Sequence, residues 1–189
     1  MPYDTDPVIE SVTDPALAPE IADVAAATFP LACPPHSTAD DVAAHIADHL
    51  AAQHFSSWIT DAHHEVIVAR AGSRGAVIGY ALLVHAASTD DDVRAAVPGG
   101  PITEISKMYV LPEHHGSADP DGTPPAHLLM TAALDAARAR GSATAWLGVN
   151  QLNARAQRYY RKMGFAVAGT KSFTLNGTVE HDYVMVRSL

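Results

Sequence analysis

The chain has 189 residues, 48% of them hydrophobic and 17% charged, a composition that builds a packed core and excludes a disordered polymer. The formal net charge is −9, which argues against a nucleic-acid partner. The charge is uneven: residues 1–100 hold 14 acids and 3 bases, residues 101–189 hold 7 acids and 9 bases. Such a split suggests two halves that meet partners of different charge. The single cysteine, Cys33, excludes an intramolecular disulfide and a Cys-rich metal site. The N-terminus has no basic segment followed by an apolar stretch, and no apolar run approaches the roughly 20 residues that span a bilayer. A cytoplasmic protein without a membrane partner is the expectation.

In chain order, Pro7–Thr13 reads as a short strand with β-branched Val8 and Val12. Asp14-Pro15 has the form of an N-cap with proline at the first helical position, opening a helix to about Phe29. Pro30 stops it, and Pro34-Pro35 hold an extended loop. Ser37 or Thr38 caps a second helix to about Gln53, with Val42, Ile46 and Leu50 as its apolar stripe. Glu65–Ala71 and Ala76–His85 read as a hairpin around Gly72-Ser-Arg-Gly75. Residues 86–101, with three aspartates and a Pro-Gly-Gly-Pro end, read as a long loop.

Ile102–Leu111 is a strand, 113–125 a Gly/Pro/His loop, and Ala126–Arg140 a helix closed by Gly141. Thr144–Val149 is a strand. Asn153 caps a helix that ends at Met163 before Gly164. Phe165–Leu175 and Thr178–Arg187 are strands joined by Asn176-Gly177, a strong hairpin signal. The order βααβββαβαββ makes a mixed α/β sheet.

Three groups of residues invite chemistry and have plainer readings. His45 and His49 share a helix face at i, i+4, but no Glu stands between them as in H-E-x-x-H, so no metal is expected. Cys33 has no acid–base partner in the pattern and reads as a passive loop cysteine. Asp90–Asp92 reads as a solvated loop, with attraction of a cationic acceptor as the sharper alternative.

The informative stretch is 102–189. Met108-Tyr-Val-Leu-Pro112 lies on a strand and is followed by His114-His-Gly-Ser117 and a helix. Then come Trp146-Leu-Gly-Val-Asn150, Asn153-Ala-Arg-Ala156, Tyr159-Tyr160 and Gly164-Phe165. This pattern resembles the GNAT superfamily of N-acetyltransferases. Asn153, Ala156, Tyr160, Gly164 and Phe165 fall in register with its N-x-x-A-x-x-[FY]-Y-x-x-x-G-F signature. The tail, with Phe173, Asp182 and Met185, is similar to bacterial spermidine/spermine-type acetyltransferases.

The resemblance implies one domain over 1–189, a mixed, mostly antiparallel, centrally splayed sheet flanked by helices. Residues 1–100 would form the acceptor-side half and 101–189 the acetyl-CoA-binding core. It implies acetyl transfer from acetyl-CoA to a primary amine by direct attack, with Tyr160 as general acid for the leaving thiolate. A phenol with a pKa of about 10 is protonated at neutral pH and can donate. Glu104, of the same pleat parity as Met108, is the candidate base. The cofactor arm is expected along Met108, Tyr109 and Val110, with Asn150, Asn153 and Ala156 beside it. The pyrophosphate is expected at the turn holding His115, Gly116, Ser117, Gly122 and Thr123, before a helix N-terminus. Phe29, Pro34, Pro35 and Glu104 are expected on the acceptor side.

The acidic half favours a small cationic acceptor. No metal is implied, and the family allows a homodimer. One departure stands out. The Gly-rich turn is lengthened between Gly116 and Gly122, with Asp119 and Asp121 inside the 113–125 loop and two prolines where backbone donors are wanted. That interruption motivates an alternative, a non-catalytic GNAT-like module binding an acyl-CoA or a metabolite; a reshaped loop could also admit a different acyl donor.

Overall fold

In the computed structural model, residues 6–116, 122–175 and 177–189 are described. Ser117, Asp119, Asp121 and Asn176 therefore lie outside the described residues. Seven strands form one open sheet in the order β1-β2-β3-β4-β5-β7-β6. They are β1 (Pro7–Val12), β2 (His64–Ala71), β3 (Val77–Val84), β4 (Ile102–Val110), β5 (Thr144–Asn150), β6 (Ala166–Leu175) and β7 (Thr178–Ser188). The helices are α1 (Ala18–Thr28), α2 (Ala39–His49), α3 (Ala52–Thr60), α4 (Asp91–Ala96), α5 (Pro125–Ala139) and α6 (Ala154–Lys162). The sheet is mostly antiparallel, as expected of the α/β fold, with β4 and β5 running parallel.

The chain divides into two compact units. The first takes the chain up to Cys33, Ser37–Leu83 and Lys107–Ala133. Here β1 pairs antiparallel with β2, from Pro7↔Ala71 to Val12↔Val66. All of β3 except Val84 is buried, which is why it reads as a continuous apolar run rather than an alternating one. Its core joins Ile21, Val24 and Ala25 of α1, Leu50, Phe55 of α3, Val66 and Val68 of β2, and Tyr80 and Leu82 of β3. Thr38 caps α2 as a capping box: Asp41 N–H donates to Thr38 Oγ1 at 3.1 Å, and Thr38 N–H to Asp41 Oδ2 at 3.4 Å.

The second unit takes Pro34–His36, Val84–Ser106 and Leu134–Leu189. Here β5 pairs antiparallel with β7 over seven residue pairs, and β7 with β6 up to Leu175↔Thr178. The parallel β4–β5 ladder covers only Ile102↔Thr144, Thr103↔Ala145 and Glu104↔Trp146. β4 runs on to Val110 and β5 to Asn150.

Three elements differ from the sequence expectation. Asp14 caps a 3-10 turn over Pro15–Leu17, accepting from Ala16 N–H at 2.9 Å, and α1 starts only at Ala18. The second helix does not run to Gln53. It breaks at Leu50 and Ala51, and α3 follows with Phe55, Trp58 and Ile59 on its inner face. That i, i+3, i+4 spacing is the signal that marks α3. The expected long loop at 86–101 contains α4: Asp90 is its N-cap, accepting from Asp92 and Val93 N–H at 2.9 and 3.3 Å. Acids at a helix start satisfy its donors and its dipole. Val93 and Val97 then seat the helix against Trp146 and Val184.

Candidate functional site

The signature helix α6 is explained by its two ends. Asn153 Oδ1 accepts from Ala156 N–H at 3.0 Å, so Asn153 is the N-cap and Ala156 supplies the donor. At the other end Phe165 N–H donates to Tyr160 C=O at 3.0 Å and Gly164 N–H to Arg161 C=O at 3.0 Å. These two bonds form a Schellman motif, which needs a left-handed residue at its C′ position. Gly164 takes it with φ +85°. Five residues of the motif therefore fix the start, the end and the phase of one helix.

The same geometry predicts a cost. Gly164→Ala has room for its methyl, 3.5 Å from the Arg187 side chain, yet must hold a left-handed φ. It should lose roughly 1–2 kcal/mol, read from the midpoint of urea unfolding. No change in that midpoint would contradict the motif.

Tyr160 is half-buried, with its ring 5.5 Å from that of Tyr159 and 6.2 Å from that of Phe165, both edge-on. Burial pushes the Tyr160 phenol up to about 12. Burial, with Tyr160 beside it, also pushes the Tyr159 phenol up. Both rings are therefore proton donors across the neutral range.

Glu104 sits on β4 opposite Trp146, in the last residue pair of the parallel ladder. It is half-buried. The neighbouring Thr103 is fully buried, with its Oγ1 2.8 Å from His85 Nδ1 and 2.8 Å from Ser142 Oγ. That chain of bonds anchors the strand just where its pairing with β5 stops.

In the first unit, Met108 and Tyr109 are half-buried and Val110 is buried. The Tyr109 ring lies 5.9 Å from Tyr80. His115 folds back on this strand, its Nε2 2.8 Å from Val110 O. Gly116 is exposed, Gly122 half-buried and Thr123 exposed. α5 opens at Pro125, and Pro124 C=O accepts from His127 and Leu128 N–H at 2.9 and 3.2 Å. Neither proline carries an N–H, so the first donors of this N-terminus come from Ala126 onward.

On the acceptor-side list, Phe29 stacks on His45 with centroids 4.4 Å apart and planes 7° apart. His45 is held low by burial, then by His49 and Lys107. This is how α2's histidines are used among the described residues. Cys33 Sγ donates to Phe29 O at 3.4 Å and burial pushes its thiol up, the wrong direction for a thiolate nucleophile.

Pro34 and Pro35 belong to the second unit with Glu104. Beside them is a group the sequence reading did not single out. Glu180 on β7 is 4% exposed. Its Oε1 lies 2.5 Å from His36 Nε2, and its Oε2 accepts from Asn150 Nδ2 at 3.1 Å. Asn150 Oδ1 in turn accepts from Leu152 N–H at 2.9 Å, and Asn150 C=O accepts from Gln157 Nε2 at 3.2 Å. Asn150 and Asn153 thus brace the β5–α6 junction. Asp182, two residues on, pairs in register with Asn150 of β5 and Lys171 of β6. Two carboxylates two residues apart on one strand were the available signal, since such residues share a face.

Comparison with known proteins agrees with this fold. The profile of the acetyltransferase (GNAT) family matches residues 126–165. An uncharacterized N-acetyltransferase of Mycobacterium tuberculosis is 41% identical over 172 residues, covering 91% of this chain and 97% of the relative. The PaiA N-acetyltransferase of Thermoplasma acidophilum, solved in complex with coenzyme A, superposes with a TM-score of 0.70 at 15% identity, over 96% of this chain and 99% of that one. Arabidopsis thaliana NAA60 with a bisubstrate analogue gives 0.68 at 14% identity, over 96% and 99%. The chain belongs to the GNAT superfamily of N-acetyltransferases. Among the described residues no helix is long and apolar enough to cross a membrane.

Proposed function

We propose that the protein transfers an acetyl group from acetyl-CoA to a primary amine on a small cationic molecule. The observation that carries the reading is the closed α6 motif. It holds Tyr160 as a phenol at about 12 on a helix whose ends match the family signature residue by residue. Acetyl-CoA supplies the activated acetyl thioester. The backbone of β4 over Met108–Val110, beyond the end of the β4–β5 ladder, suits the extended arm as an added strand would. The family resemblance assigns Asn150, Asn153 and Ala156 to cofactor binding as well. The resemblance assigns the phosphates to His115, Gly116, Ser117, Gly122 and Thr123, residues that precede α5 in the sequence.

In the transfer, Tyr160 gives its proton to the departing thiolate. The acceptor must attack as a free amine, so its ammonium first loses a proton; Glu104 takes it, directly or through water. Pro34, Pro35 and Phe29 belong to the acceptor side, the first two beside the buried Glu180–His36 pair. The acidic first hundred residues serve that side and the remainder the cofactor. A cytoplasmic setting, where acetyl-CoA is made and used, fits this chemistry. Pro124 and Pro125 at the start of α5 favour the binding-module alternative, because they remove two donors. Tyr160, held protonated, is what such a module would not need.

Release of free thiol from acetyl-CoA over a panel of amines tests the proposal. Amine-dependent release supports the enzyme. Binding of acetyl-CoA without release for any amine supports the module.

A further inference from the structure

One primary amine already stands on the face of the sheet where β4 and β5 part. Trp146, Gly148 and Asn150 alternate along β5. They share that face with Glu104, the partner of Trp146 in the last β4–β5 pair, and with Asp182, the partner of Asn150. Lys171 of β6 pairs with Asp182 and lies on the same face. Its Nζ is 5.8 Å from the centroid of the Trp146 ring. Gly148 has no side chain, and the point a Cβ would take there is 3.0 Å from Lys171 Cε, 3.6 Å from its Nζ and 3.1 Å from Asp182 Oδ2. The amine and the carboxylate thus flank one point over Gly148.

Among the described residues Lys171 Nζ takes no hydrogen bond and no direct ion pair. The Trp146 ring and the field of Asp182 hold it instead. Lys171 is half-buried and Gly148 beneath it is exposed, so the amine borders open space. Asp182 Oδ1 is sealed from solvent without a partner among the described residues, which leaves Oδ2, the oxygen over Gly148, to meet the amine. Burial pushes the Asp182 carboxyl up, Lys171 pulls it down, and Glu180 adds to the rise. Such a carboxylate takes a proton more readily than an ordinary one. Glu180 does not serve here, because His36 and Asn150 hold its two oxygens.

Resting on the acetyl-transfer reading above, we infer that Lys171 is an acceptor built into the chain: the protein acetylates its own Lys171 from acetyl-CoA when no free amine competes. That reading lays the thioester past the end of the β4–β5 ladder, and Gly148 is the first residue on this face of β5 past that end. In the transfer, the Lys171 ammonium gives one proton to Asp182. The free amine attacks the acetyl carbonyl, the C–N bond forms and the C–S bond breaks. Tyr160 protonates the departing thiolate. The nitrogen sheds a second proton, which restores the phenol through water, and Asp182 returns its own proton to solvent. The products are Nε-acetyl-lysine, the thiol of CoA and one proton. Acetylation removes the charge of Lys171 and its attraction to the Trp146 ring.

The test incubates the full chain with acetyl-CoA and no amine, and follows each lysine by peptide mass spectrometry. Lys171 should gain one acetyl group at least about tenfold faster than Lys162, an exposed lysine that reports spontaneous acetylation. Tyr160→Phe and Asp182→Asn should each slow Lys171 at least about tenfold and leave Lys162 unchanged. Tyr160→Phe keeps the test open if Asp182→Asn fails to fold. Lys171 acetylated no faster than Lys162, or at a rate that Tyr160→Phe leaves unchanged, overturns the assignment. Thiol release driven by added amines, with Lys171 unmodified in their absence, overturns it too and leaves the acetyl-transfer reading standing. Acetylation of Lys171 without release on any added amine supports Lys171 and sinks the small-molecule acceptor.

Discussion

Tyr160→Phe should lower kcat by about a hundredfold or more, the usual range for a lost general acid. KM for acetyl-CoA should change little, because the ring stays. The helix should stay too, since the Schellman bonds at Tyr160 use its backbone carbonyl and not its hydroxyl. A loss of kcat and of kcat/KM by the same factor would mark an interaction made only in the transition state. Unchanged kcat would remove Tyr160 from the chemistry.

The phenol also has a pH signature. It sits at about 12 in the folded protein and at about 10 in an unfolded chain. The folded state therefore binds the proton more tightly, and this contribution to stability is complete below pH 10 and fades as pH rises towards 12. Tyr160→Phe should flatten part of that alkaline loss. The wild-type rate should show no fall from this group below about pH 11.

Phe55→Ala should be the most damaging single truncation in the first unit. Phe55 is fully buried, with Trp58 and Tyr80 edge-on to it at 5.1 and 5.3 Å. Lys107 Nζ lies over the Trp58 ring, 5.3 Å from its centroid. Removing the ring strips contacts from Trp58 of α3 and Tyr80 of β3, and leaves a cavity that aromatic neighbours close poorly. The expected loss is about 3–5 kcal/mol, on the order of 10 °C in Tm for a chain of this length. Phe55→Leu should lose less than half of that. A loss under about 1 kcal/mol for the alanine variant would mean that the cluster repacks and is not the anchor described.

What could be read from the sequence follows the range of the interaction. α6 was legible because its cap, its phase and its terminating glycine lie within thirteen residues. The β6–β7 hairpin was legible for the same reason. α4 was not, because three successive aspartates look like solvated loop; only the burial of Val93 and Val97 against Trp146 and Val184 makes them a helix start. α3 was lost because no glycine or proline announces the break at Leu50, a residue pulled out of helical geometry and into the core.

The candidate site divides in the same way. Tyr160, Asn153 and Ala156 were placed by local pattern. His36 and Glu180 meet across 144 residues, and no spacing rule links a loop histidine to a carboxylate on the last strand. Asp182 entered the reading only through the resemblance of the tail. Its unmet oxygen is a property of packing and becomes visible only when the neighbouring strands are in place.

The central claim is that this chain binds acetyl-CoA in its folded state as a co-substrate. The direct measurement is Tm with and without acetyl-CoA at millimolar concentration. A ligand that binds only the native state must raise Tm, and at about a hundred times Kd it adds about 2.7 kcal/mol. The account predicts a rise in Tm that grows with ligand concentration and persists in Tyr160→Phe. An unchanged Tm at millimolar acetyl-CoA would contradict it.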